Sequence, residues 1–327
     1  MIEEKSKIKR IGKRIDTQLP VELHDNSRTT EYWKVVQFRE MYKRTRPGFF
    51  ALIPKNYDPF DQEAVINHFD LKGFEYGNWL NQEDRYNYLM AVQIALFDLS
   101  KITGIKKIGL GKLVGISFGA RGSSKALAHF EASTNMINIT RFHEAKNFTD
   151  ILGNPVFGNK TTDTVKSQLF VLSGGIGSLA HEYGHALDYI FGGYVEADPS
   201  GTYRSLTNGW LTNDNPVLGR PGTMRHMANS LIYYLMYDKP DQYTAFYAKL
   251  KKAVKAKKLS EYWIRHSEMF ARAFESYIQM KLRENGISNT FLTHLKYVNP
   301  VYPDPILLKK IEPLFDKLIK RMAVYAK

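Results

Sequence analysis

Five residues constrain this chain more than any property of the whole: His181-Glu182-Tyr183-Gly184-His185. Two histidines four apart fall on one face of an α-helix, one turn above the other. The flanks agree with a helix over 178–191, since Leu179, Tyr183, Leu187 and Ile190 recur at helical spacing, with Ser178 placed as N-cap and Gly192-Gly193 as the stop. Both imidazoles can then reach one metal ion at about 2.0–2.1 Å. Glu182, offset by about 100° around the helix, leans over the same point, where a carboxylate can take a proton from a water. Gly184 costs roughly 1 kcal/mol against Ala inside a helix, so its presence predicts another segment passing close. Asp188 shares the face of the histidines and can orient an imidazole by accepting its second N–H.

A metal held by two histidines needs a third protein ligand. The chain has no cysteine, which excludes thiolate metal sites, disulfides and cysteine nucleophiles together. The ligand must come from His, Asp or Glu. A downstream histidine in the spacing H-E-x-x-H-x-x-G-x-x-H is absent, because Asp188 and Phe191 stand at the glycine and histidine positions. A distant ligand on a second helix is expected. The best candidate runs over 267–283, with Ser267 as cap. There Glu268 and Glu275, seven apart, share one face beside an apolar stripe of Met269, Phe270, Ala273, Phe274 and Tyr277. Ala271 is small enough to let this helix lie close to the first. His226, His266 and His294 read as ordinary histidines.

Elsewhere, helices are predicted over 30–42, 81–103, 223–237, 241–257 and 305–325. Leu113–Phe118 reads as a strand, and 126–140 as a β-hairpin turning at Ser133-Thr134-Asn135. Residues 141–177 read as mixed loop. Gly109-Leu110-Gly111-Lys112 lacks the spacing of a P-loop, and Gly115 falls one position late for a dinucleotide fingerprint. The 192–222 connection, with six glycines and three prolines, is long enough to serve as a lid through Tyr203 and Trp210. Net charge is +13, with basic runs at Lys5–Arg14 in an arm over 1–30 and in the lysines of 249–258. This predicts non-specific contact with an anionic polymer. No apolar run is long enough for a transmembrane helix, and the charged N-terminal stretch does not read as a signal peptide.

The segment SLAHEYGHALDY (Ser178–Tyr189) together with EMFARAFESYI (Glu268–Ile278) resembles two related groups of zincins. One is the anthrax lethal factor-type gluzincin peptidase domain, in which H-E-x-x-H-x-x-D is followed by a Glu opening an E-x-F-A-x-A-F helix. The closer match is the zincin-like large polyvalent protein-associated domain of phages and conjugative elements. That family is also similar along Phe74–Trp79, Phe118–Gly122 and Ala128–Glu131, so the resemblance spans residues from about 70 to about 282. It implies His181, His185 and Glu268 as Zn²⁺ ligands and Glu182 as the catalytic base. Glu275 is implied as an alternative ligand or a group behind the ligands. Tyr262, six residues before Glu268, stands nearest to where those relatives place an oxyanion-stabilising tyrosine. Arg272 replaces an acid of the relatives, and an ion pair with Glu75 or Glu131 is expected of it.

The fold implied is α+β: a mostly helical zincin-like metallopeptidase with a small mixed sheet, a motif helix and a second ligand-bearing helix. The expected organisation is a basic arm (1–30), a metallopeptidase domain (31–285) and a C-terminal helical extension (286–327). The activity implied is zinc-dependent endopeptidase action on a protein or peptide. The alternative is a catalytically silent, virion-packaged protein that binds host protein or nucleic acid. Both place the chain in a phage virion or the bacterial host cytoplasm, with no membrane partner. The hairpin is the expected edge for a substrate strand, with His129 and Glu131 facing the cleft and Arg121 binding either the hairpin or a substrate carboxylate.

Overall fold

The computed structural model describes residues 54–58, 61–78, 80, 82–121, 126–140, 175, 177–197, 204–209, 211–293 and 301–326. The basic arm, the 30–42 helix, most of the 141–177 loop, and Trp79, Gly122, Tyr203, Trp210 and His294 lie outside the described residues.

Four strands form one mixed sheet: β1 (Phe74–Tyr76), β2 (Gly115–Phe118), β3 (Ala128–Glu131) and β4 (Met136–Ile139), in the order β1-β2-β4-β3. β1 and β2 are parallel, as are β2 and β4; β3 runs antiparallel to β4, with Phe130 opposite Ile137. The 126–140 hairpin is thus present, and its first strand is one edge of the sheet, with β1 at the other. Every residue of β1, β2 and β4 is buried, which leaves β3 as the half-buried border.

Seven helices are present among the described residues: α1 (Gln62–Phe69), α2 (Gln82–Thr103), α3 (Leu179–Ile190), α4 (Met224–Met236), α5 (Ala245–Lys255), α6 (His266–Glu284) and α7 (Pro305–Tyr325). The sequence does not predict α1, nor the short ribbon of β5 (Tyr237–Lys239) and β6 (Gln242–Tyr243) that replaces the first turn expected at 241. α3 and α6 are the most extensively packed pair. α7 packs on α4 and α6 and shares their apolar core. None of the described helices is long and apolar enough to cross a membrane.

At three predicted helix ends the capping or the stop differs from expectation, each for a tertiary reason. Ser178 makes no side-chain cap; the Ala180 N–H donates instead to the Leu292 carbonyl at 2.8 Å. α6 begins one residue before Ser267. Its first N–H groups, on His266 and Ser267, donate to Leu211 and Gly209 carbonyls at 2.9 and 3.2 Å. Both cases satisfy free helix-end donors with loop backbone rather than a cap side chain. Gly192 does not stop the motif helix, which continues as a π-helical turn, Phe191–Val195. The glycine marks a close approach: a Cβ there would sit 2.3 Å from the carbonyl carbon of Ser205.

Candidate metal centre

α3 and α6 cross where both carry small residues. A Cβ on Gly184 would lie 3.1 Å from Phe274 Cδ1 and 3.2 Å from Ala271 Cα, so the glycine allows the close pass that its place in the motif predicts. Gly184→Val is expected to lose about 1–3 kcal/mol through overpacking, net of any gain in helix propensity. It should also separate the histidines from Glu268. Chemical denaturation and a metal titration check the two effects separately.

At this crossing the candidate ligands converge from two helices. The His181 and His185 rings stand 4.9 Å apart, nearly perpendicular at 85°. Glu268 Oε1 lies 3.2 Å from His185 Nε2, and Glu268 Oε2 lies 3.6 Å from His181 Nε2. One ligand atom from each of the three residues falls within 4.8 Å of the others. Two ligands at zinc–nitrogen and zinc–oxygen distances in a tetrahedral arrangement are about 3.4 Å apart, so this donor set fits zinc in both type and spacing. Burial holds the His181 imidazole well below its ordinary range, in the neutral form a ligand requires. His185 is raised despite its burial, because the Glu268 carboxylate faces it. Glu268 is held below the usual carboxylate range by His185, then by Arg272 and His181, which outweigh its own desolvation.

Glu182 is 4% exposed. Burial pushes its carboxyl up to about 7, although a backbone hydrogen bond from Phe130 of β3 pulls the other way. The base candidate is therefore attached to the sheet edge. Tyr262, from a 3-10 turn (Glu261–Ile264), hydrogen-bonds Glu268; burial and that carboxylate together push its phenol up. Glu275 Oε2 lies 3.7 Å from His181 Nδ1, behind the ligand face. Asp188, fully buried and raised by desolvation, accepts hydrogen bonds from the Thr207 N–H and hydroxyl at 2.8 and 2.7 Å. It thereby anchors the returning 204–209 segment, while its charge still acts on His185.

Two cavities, of about 200 and 410 Å³, meet at Ala126, Ala128, Glu182 and Tyr262 to form one cleft along β3. His129 lines the larger half, and burial lowers its pKa. Glu131 and Arg121 are placed elsewhere. Arg121 pairs with Glu75 at 2.7 Å, with Glu131, and with Thr134 at 3.0 Å, tying β1 to the hairpin. The ion pair expected of Arg272 with Glu75 or Glu131 is thus made by Arg121. Arg272 lies 3.2 Å from Glu268 instead, with its guanidinium 4.1 Å from the Trp263 ring centroid. The i,i+4 spacing of Glu268 and Arg272 is the signal that could have assigned this pair. Trp263, Tyr302, Tyr189 and Arg265 also line the cleft and have no sequence signal of their own. His266 Nε2 contacts the Asn213 carbonyl at 3.0 Å, away from the ligands.

Residues 254–325 match the family described as large polyvalent protein-associated domain 1. The match takes in Tyr262, Glu268, Arg272, Glu275 and α7, and leaves out the histidine motif. Neither a curated protein nor a solved structure matches the chain.

Proposed function

We propose that this chain is a zincin-like, zinc-dependent endopeptidase of a phage or mobile element. The observation that supports it best is the Glu268 carboxylate facing both histidine Nε2 atoms beside a buried Glu182. His181, His185 and Glu268 would hold the metal. When bound, zinc polarises a carbonyl and makes water a nucleophile near neutral pH. The other roles fall to the chain's own groups. The half-buried edge strand β3 pairs with the backbone of an extended peptide. Glu182, hydrogen-bonded to that strand, takes the proton of the attacking water and delivers it to the leaving nitrogen. The Tyr262 hydroxyl, kept protonated, donates to the oxygen on which charge develops. Arg272 holds Glu268 from behind.

The purified protein is expected to carry one zinc per chain and to cut unfolded protein substrates, with cleavage stopped by a chelator and restored by added zinc. A second reading is a silent, packaged zincin-like protein that uses this site as structure. Its support is α5 and the turn after it, where Lys249, Lys252, Lys255, Lys257 and Lys258 are exposed and no acid occurs over 245–260. Such a surface suits a nucleic-acid backbone. Stoichiometric zinc with no hydrolysis of any substrate would favour this second reading.

A further inference from the structure

One short stretch of chain is bonded to both ligand-bearing helices. On α3, Asp188 follows His185 by three residues, on the same face of the helix. Its carboxylate accepts the Thr207 N–H and hydroxyl at 2.8 and 2.7 Å, and its carbonyl accepts the Leu206 N–H at 3.0 Å. On α6, Glu268 is the third residue, and no side chain caps that helix end. The N–H groups of Ser267 and His266 donate instead to the Gly209 and Leu211 carbonyls, and His266 Nε2 meets the Asn213 carbonyl at 3.0 Å. A carbonyl only accepts, so the His266 ring carries a proton on Nε2. Asp188, Thr207 and His266 are fully buried, where an unmade hydrogen bond is costly.

Only Asn208 separates Thr207, tied to α3, from Gly209, tied to α6. Two residues of chain span at most about 7 Å, so this strap cannot stretch. Asn208 and Gly209 are both left-handed, at φ 62° and 54°, which folds the strap into an elbow. These are residue types that take that conformation at low cost. The elbow is also fastened to α4. The Asn229 side-chain amide donates to the Leu206 carbonyl at 2.7 Å, and Arg225 donates to Asn208 Oδ1 at 3.1 Å. The crossing at Gly184 and Ala271 sets how closely α3 and α6 pass, but helices in contact can still slide or turn about such a point. A slip of one residue moves a side chain about 1.5 Å along the axis and about 100° around it. Metal ligands must be held within about 0.2 Å. Directional bonds at the helix ends remove that freedom.

We infer that this strap, Leu206–Gly209 with Leu211–Asn213, is the positioning element of the metal centre. Thr207 holds the His185 end of α3 and His266 holds the Glu268 end of α6, so that zinc affinity depends on two buried residues that are not themselves ligands. The inference rests on the metal centre proposed above and adds what sets its geometry. Thr207 and His266 are positioning residues and take no part in the chemistry.

The test uses the full chain stripped of metal. Competition with a chromophoric chelator reads zinc affinity, the visible absorption of the cobalt(II)-loaded protein reads coordination geometry, and denaturation in chelator reads folding. Affinity and spectrum are taken below the unfolding transition, where a change in stability alone leaves the folded chain's affinity unchanged. Thr207→Val keeps the shape and the N–H but removes the hydroxyl. His266→Phe keeps a ring but removes the donor. Each should weaken zinc binding about tenfold or more and alter the cobalt spectrum at saturation. Thr207→Ser, which retains the hydroxyl, should match wild type in both. The two losses break opposite ends of the strap, so one folded variant decides. Gly209→Ala serves if both fold poorly and should show the same two changes. Its Cβ would meet nothing closer than 3.4 Å, yet it strains the left-handed backbone. Lowered stability with wild-type zinc affinity and cobalt spectrum makes the strap a scaffold alone and overturns the inference, as does a loss in Thr207→Ser equal to that in Thr207→Val. A wild-type chain that binds neither zinc nor cobalt overturns the metal centre, and the inference with it.

Discussion

Glu182→Gln should keep its zinc and lose cleavage by a factor of roughly 10²–10⁴, the range expected when a positioned general base is removed. The amide oxygen of Gln can still accept the Phe130 N–H, so the link between α3 and the sheet edge survives. The proposed ligands, His181, His185 and Glu268, are untouched. Zinc content by mass spectrometry, thermal unfolding in excess chelator and cleavage of an unfolded protein are the three measurements. Retained metal and folding with lost cleavage identify Glu182 as the base. Lost metal would make it a structural support of the ligands, and undiminished cleavage would remove it from the reaction.

The motif was readable because its geometry is local. His181, Glu182 and His185 occupy one helical turn, and periodicity alone puts two imidazoles on one face with a carboxylate beside them. Glu268 was harder. Only its place beside the Met269–Tyr277 apolar stripe singles it out, and the same argument selects Glu275. The structure separates the two by distance, since Glu268 lies toward the Nε2 atoms of both histidines and Glu275 toward the far nitrogen of one. Gly184 and Ala271 signalled the close crossing because lack of bulk is itself a sequence property. The i,i+4 spacing carried the Glu268–Arg272 pair, but the partners of Arg121 did not follow from sequence. An arginine and several acids scattered along a chain allow many pairings, and strand order chooses between them: β1 lies beside β2, from which the chain runs on to Arg121, and this brings Glu75 within reach. The early start of α6, and the way the N-termini of α3 and α6 are capped, escape the sequence for a related reason. Their free N–H groups are met by carbonyls from Leu292, Leu211 and Gly209. No local pattern announces which loop will return to a helix end. Tyr302 and Arg265 reach the cleft from outside regular helix interiors, where side-chain direction has no period to read.

The ranking of Glu268 over Glu275 as third ligand makes the second large prediction. Glu268→Gln keeps the shape of the side chain but removes its charge. It should weaken zinc binding by more than about 100-fold. Glu275→Gln reaches the metal through the His181 imidazole, 3.7 Å away, and should cost about 10–100-fold. Competition with a chromophoric chelator measures both. The reverse order would transfer the ligand role to Glu275, and equal, small losses would dissolve the site. Glu268→Ala separates a further contribution, because Arg272 is 4% exposed and loses its carboxylate partner. Breaking one side of a buried ion pair costs about 3–5 kcal/mol, although the Trp263 ring at 4.1 Å keeps part of the guanidinium's stabilisation. In chelator, Glu268→Ala should therefore unfold at lower denaturant than wild type. The double variant Glu268→Ala/Arg272→Met, which removes both charges, should recover much of that loss and still bind no zinc. Recovery of folding without recovery of metal is the outcome that assigns Glu268 two separable duties, as a ligand to the metal and as the counter-charge of Arg272.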